Sequence, residues 1–245
     1  MNKLFPVIMT LILITAPTLL FGAPTRVVTV PSGETVPAFN IHTEMETRIR
    51  VSDRKAIKGP AVSPGSRDPG VTIVGATLGW GIWKVKGEVG MDYTTTGPDV
   101  AERNPLTMNA KVVLPELAFN ERHPGVTVGV MNYWPDEEHA TNMVYGLLSY
   151  TLPYLGRIAA GGYQGDEDAL GGVENGMMAS WDTPVSERVW VGVDYIGGNN
   201  KIGSINAAVS FAFSKRSSFG FGYNLHTARE YSGADTVMIR GSFMF

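Results

Sequence analysis

The chain contains no cysteine. That removes disulfides, thiolate metal ligands and a cysteine-borne lipid anchor together, so stability has to come from hydrogen bonding and packing. Beyond its opening segment the chain also lacks any apolar run near the ~18 residues that a spanning helix needs. Charge of one sign is scarce as well: 20 Lys and Arg against 23 Asp and Glu leave a net −3, which argues against a nucleic-acid partner. Catalytic signatures are missing in the same way. There is no Gly-x-Ser-x-Gly elbow and no His-Glu-x-x-His helix, and His42, His123, His139 and His226 show no metal-ligand spacing. No enzyme, cofactor or metal site is expected, and no catalytic residue is nominated.

What is present begins with a leader. Lys3 supplies a positive start, an apolar run follows over 4–20, and the small residues Gly22 and Ala23 come next. Residues 1–23 therefore read as a signal peptide. Pro6 and Pro17 argue against a spanning helix there. The other end of the chain alternates strictly. Val237, Ile239, Gly241, Phe243 and Phe245 share one face, and Thr236, Met238, Arg240 and Ser242 share the other. A strand with one apolar and one polar row lies between two different solvents.

The same period of two recurs over about twelve segments separated by turn signals. The first is the longest, 38–51, with Phe39, Ile41, Thr43, Met45, Thr47, Ile49 and Val51 on one row. His42, Glu44, Glu46, Arg48 and Arg50 share the other row. The further segments are 71–80, 83–94, 106–114, 126–133, 142–151, 157–164, 176–182, 188–195, 203–214, 218–224 and 236–245. A tight Gly79-Trp80-Gly81-Ile82 connection is expected to join the second and third. Connections tend to alternate long and short after the first strand, and Trp and Tyr cluster near strand ends, where ring edges can be half wet. Overall, these features indicate an all-β fold: a closed antiparallel transmembrane barrel over 38–245. Residues 24–37 would form a periplasmic N-terminal segment, kept from pairing by Pro31 and Pro37. Both termini are expected on the periplasmic side of a Gram-negative outer membrane, with outer-membrane lipid, lipopolysaccharide and the barrel-assembly machinery as partners.

The ending with Gly241, Phe243 and Phe245 resembles the C-terminal insertion signal of proteins assembled into the outer membrane. More widely, the chain is similar to a group of bacterial porin-like outer-membrane β-barrel proteins without an established substrate. The similar stretches include Gly87 to Tyr93, Asn109-Ala110-Lys111, Ser180-Trp181-Asp182, Val193 to Asn199 and Phe221 to Asn224. The resemblance implies a barrel and assigns no functional residue.

If the apolar rows face lipid, the opposite rows line a lumen of ionic character. Its candidate lining residues are Glu44, Glu46, Arg48, Arg50, Lys84, Lys86, Glu88, Asp92, Lys111, Asp182, Asp194 and Arg240. Two outcomes stay open: charges on adjoining walls pair and fill the lumen, or segregated walls leave a wet pore for small polar or charged solutes. The carboxylate clusters at Asp136-Glu137-Glu138 and Asp166-Glu167-Asp168 read as solvated loop charges before they read as cation sites.

Overall fold

The computed structural model describes residues 26–52, 70–95, 106–119, 123–134, 140–232 and 234–245. The signal peptide and the Asp136 cluster lie outside the described residues. Twelve strands follow one another: β1 (Ile41–Arg50), β2 (Gly70–Ile82), β3 (Val85–Thr95), β4 (Leu106–Leu114), β5 (Gly125–Tyr133) and β6 (Met143–Leu152) form the first half. The second half is β7 (Gly156–Gln164), β8 (Asn175–Pro184), β9 (Val189–Ile196), β10 (Ser204–Ser214), β11 (Ser217–His226) and β12 (Thr236–Met244). Among the described residues two single-turn helices sit in connections, α1 (Glu167–Leu170) before β8 and α2 (Arg229–Ser232) before β12.

Each strand pairs antiparallel with its neighbours in sequence, and β1 closes the ring on β12. The closing register sets Thr43 opposite Phe243, Glu46 opposite Arg240 and Ile49 opposite Val237. Phe245 finishes the seam, its N–H donating to the Ile41 carbonyl at 2.8 Å. Closure leaves no strand edge with unpaired backbone groups, the condition for a sheet to sit in hydrocarbon. The twelve strands bring every turn of two to four residues to the end that carries residue 245, together with the ten-residue 115–124 connection, and the remaining longer connections to the other. We call these the turn end and the loop end.

The barrel is inside-out relative to a soluble protein. Along β1, Met45 is 56% exposed while its neighbour Glu46 is 0% exposed. Val74, Leu78, Val112, Val128, Leu148 and Phe221 continue the outer apolar belt around the ring. Aromatic rings mark its two margins, with Tyr93, Tyr133, Tyr195 and Tyr223 toward the loop end and Trp83, Tyr150, Trp181 and Phe243 toward the turn end. Trp190 departs from that arrangement: it shares the inner row with Asp194, and its indole N–H donates to Asp182 Oδ2 at 3.2 Å.

Two local expectations are corrected. The first strand begins at Ile41 rather than at residue 38, because Phe39 takes φ 64° and Asn40 N–H bonds back to the Pro37 carbonyl. The first hairpin reverses at Trp83 and Lys84, not over 79–82, since Ile82 still pairs with Val85. Trp83 itself supplies the left-handed angle, φ 55°. Gly79 is needed for a different reason. A Cβ there would lie 2.2 Å from the Val36 carbonyl oxygen, so only glycine lets residues 36 and 37 lie flat on the wall.

That contact exposes the main departure from the sequence expectation. Residues 26–37 do not hang free of the ring; they run inside it. The segment stays out of the barrel ladder, and Val27, Val28, Val30 and Val36 are each at most 2% exposed. Arg26 bridges to Pro31, and Val27 N–H donates to the Val30 carbonyl at 2.8 Å, forming a small hairpin with its tip at mid-lumen. An alternating Val-Val-Thr-Val sequence between prolines cannot join a completed ring, so its backbone groups must find side-chain partners instead.

Candidate functional site in the lumen

The inner rows supply those partners. Asp194 on β9 directs Oδ2 at three successive backbone N–H groups, those of Val28 (2.8 Å), Thr29 (2.6 Å) and Val30 (2.8 Å). Consecutive amides converging on one anionic oxygen form a nest, and hydrogen bonds to a charged acceptor are the strong kind. Its other oxygen takes the Asn206 amide at 2.7 Å, and Asn206 in turn accepts from Asn224 at 2.7 Å. On β3, Glu88 accepts from Val36 N–H at 2.9 Å and faces Lys111 Nζ at 3.3 Å, while Lys111 donates to the Ser32 carbonyl at 3.2 Å.

The densest cluster gathers at the β1–β12 seam. Glu46 is fully buried and meets three arginines: Arg48 Nε at 2.6 Å, Arg240 Nη2 at 2.6 Å and Arg26 Nη2 at 3.3 Å. Arg26 also pairs with Glu44, and Arg240 donates to the Val28 carbonyl at 2.6 Å. Register explains the meeting. Glu46 and Arg240 are direct cross-strand partners, and Arg48 is the next inward residue on the same strand. A third group stands near the turn end, where Arg157 grips Asp182 with two bonds of 2.9 and 3.0 Å and reaches Glu34 at 2.7 Å.

Between the hairpin and β1–β6 lies a chamber of about 220 Å³, bounded by Arg26, Glu44, Arg48, Asp92, Lys111 and His226 among others. Asn109 shapes its far wall. It donates to Asp92 at 2.8 Å and accepts from Asn132 N–H at 3.0 Å, pinning the irregular β4–β5 pairing beside it. Beside the chamber the lumen is apolar, and Met143, Tyr145 and Ile196 line both. Val30 at the hairpin tip packs with Met143, Tyr145, Leu147, Tyr163, Leu170, Met178 and Ile196. Leu170 arrives from α1, which the 165–174 loop folds inward. Asp166 caps that helix by accepting from Ala169 N–H at 2.9 Å, so this member of the acidic cluster has a backbone to hold.

The candidate lining residues thus divide. Glu44, Glu46, Glu88, Lys111, Asp182 and Asp194 are buried on the inner face, and Arg48 and Arg240 are partly covered there by their ion pairs. Asp92 is half-buried against the chamber, and Arg50 stands partly exposed at the loop-end mouth. Lys84 is corrected: it occupies the hairpin turn, exposed, with Nζ 5.2 Å from the ring centres of both Trp83 and Phe119. Lys86 stands exposed at the same rim. Sequence reasoning missed Arg26 and Glu34 because they precede the first strand. It also missed Arg157, the first side chain of the inner row of β7, and the apolar sector. β6 carried a signal for that sector, since Met143, Tyr145 and Leu147 make its inner row as apolar as its outer one. Among the described residues no group of three or more His, Asp or Glu side chains could hold a metal ion.

No family model matches the chain, and no curated protein matches it either. Solved structures do. An outer membrane channel from Pseudomonas putida F1 is similar over 86% of this chain and 97% of its own, at 15% identity and a TM-score of 0.52. The fold is that of a bacterial outer-membrane barrel. The outer membrane protein Omp33 of Acinetobacter baumannii is similar over 85% of this chain and 98% of its own, at 12% identity and a TM-score of 0.43.

Proposed function

We propose that the chain is an outer-membrane channel for passive diffusion of small polar or charged solutes. The observation that carries this reading is the charged chamber of about 220 Å³ held inside a ring with an apolar exterior. Burying this many ions inside a barrel stabilises it less than an apolar filling would, so their retention favours a lumen that handles water and solute. Outer-membrane lipid and lipopolysaccharide would surround the belt, and the Gly241, Phe243 and Phe245 ending would serve the assembly machinery.

Planar bilayers test the proposal. Purified protein should give discrete conductance steps in potassium chloride, and silence at every voltage and salt concentration would end it. The second reading is a non-conducting barrel with a structural or surface role. It is favoured by one observation, the seating of residues 26–37 across the lumen.

A further inference from the structure

Glu46 meets Arg48 and Arg240, Glu88 meets Lys111, Asp182 meets Arg157 and Asp194 meets Asn206, and every one of these pairs joins wall to wall. The hairpin adds a second set of contacts to charges that already have a partner. A buried ion stripped of its only partner is costly, whereas one that keeps a partner and gains water is not. Each of these wall groups therefore keeps a polar wall partner without the hairpin, Asp194 through the neutral Asn206 amide, and Glu44, which pairs with Arg26, keeps Arg240 Nε at 3.6 Å.

The hairpin, in turn, is built to leave. None of its backbone enters the barrel ladder, and its hold on the wall comes from side chains of Asp194, Glu88, Lys111, Arg157 and Arg240, with Glu44 and Glu46 pairing its Arg26. Its apolar anchor is four valines. Its own charges, Arg26 and Glu34, are soluble in water. At its C-terminal end the chain bends at Pro37 and Phe39, where φ is 64°, before entering β1. The chamber lies alongside, bounded by Arg26, Thr29 and Pro31, so one flank of the hairpin faces a space large enough for water.

We propose that residues 26–37 are a displaceable gate, and that their withdrawal joins the chamber to the turn end of the barrel. This rests on the channel reading above. It further assigns Asp194 as the latch, because that one carboxylate oxygen holds three amides at the hairpin tip.

The absence of cysteine makes the test clean. A Cβ built on Gly33 lies 3.1 Å from Ser149 Cβ, a few tenths of an ångström short of disulfide geometry, so Gly33→Cys with Ser149→Cys staples the hairpin to β6 after folding. In planar bilayers the oxidised staple should be silent and the reduced form should conduct. Asp194→Asn alone should raise the open fraction at least tenfold. A separate readout needs no current. In Val28→Cys the new thiol is buried at a position 0% exposed, and its modification by a water-soluble thiosulfonate should speed up at least tenfold when Asp194→Asn is added.

Equal currents from oxidised and reduced staple would overturn the gate and leave the channel standing. No current in any form, with thiol modification accelerated by Asp194→Asn, would remove the channel and keep the moving segment. No current together with an unaccelerated thiol would overturn both.

Discussion

Replacing Glu46 by alanine probes the ionic seam most directly. The side chain is fully buried and accepts from Arg48 Nε at 2.6 Å and from Arg240 Nε and Nη2 at 2.9 and 2.6 Å, with Arg26 at 3.3 Å. Its removal leaves three guanidinium groups around one remaining carboxylate, Glu44. Breaking a buried pair from one side costs about 3–5 kcal/mol, chiefly through the uncompensated charge it leaves. Because Arg26 and Arg48 border the chamber, where water can reach them, the lower end of that range, about 3 kcal/mol, is the expected loss. Equilibrium unfolding in urea from lipid vesicles measures it. The companion variant Arg240→Met should cost about as much alone, and combined with Glu46→Ala the total should fall short of the sum by at least ~1 kcal/mol. A loss below ~1 kcal/mol for Glu46→Ala, or strict additivity in the pair, would mean that water already screens these charges and that the seam is held by its backbone ladder alone.

Leu148→Arg, on the outward row of β6 where the leucine is 56% exposed, should destabilise the barrel in a bilayer by ~2–4 kcal/mol; no penalty in vesicle unfolding would take that face out of the hydrocarbon. Lys84→Glu should leave the reversal potential in a salt gradient unchanged, because its ammonium sits over Trp83 and Phe119 at the turn, whereas Glu88→Gln should move it; a shift from Lys84→Glu would put that lysine in the permeation path. Asp166→Ala should loosen α1 by about 1 kcal/mol through loss of its cap, seen as faster amide exchange at Ala169 and Leu170; unchanged protection would mean that Leu170 packing alone holds the helix.

The amino-acid sequence alone settled the ring and its two faces. Strand periodicity is a local property, and a residue's parity along β1 or β12 decides which side it faces whatever the neighbours are. Glu46 and Met45 could therefore be sorted to opposite faces from their order alone. Lys84 was mis-sorted because parity has meaning only inside a strand, and the turn fell three residues later than the glycines suggested, on a tryptophan with left-handed backbone angles. Only the folded ring could decide what fills the lumen. The contacts of residues 26–37 with Asp194 span more than 160 positions of chain, and they are made by the segment's backbone amides, which every sequence shares. Such amides carry no pattern until the barrel is closed and a carboxylate stands opposite them.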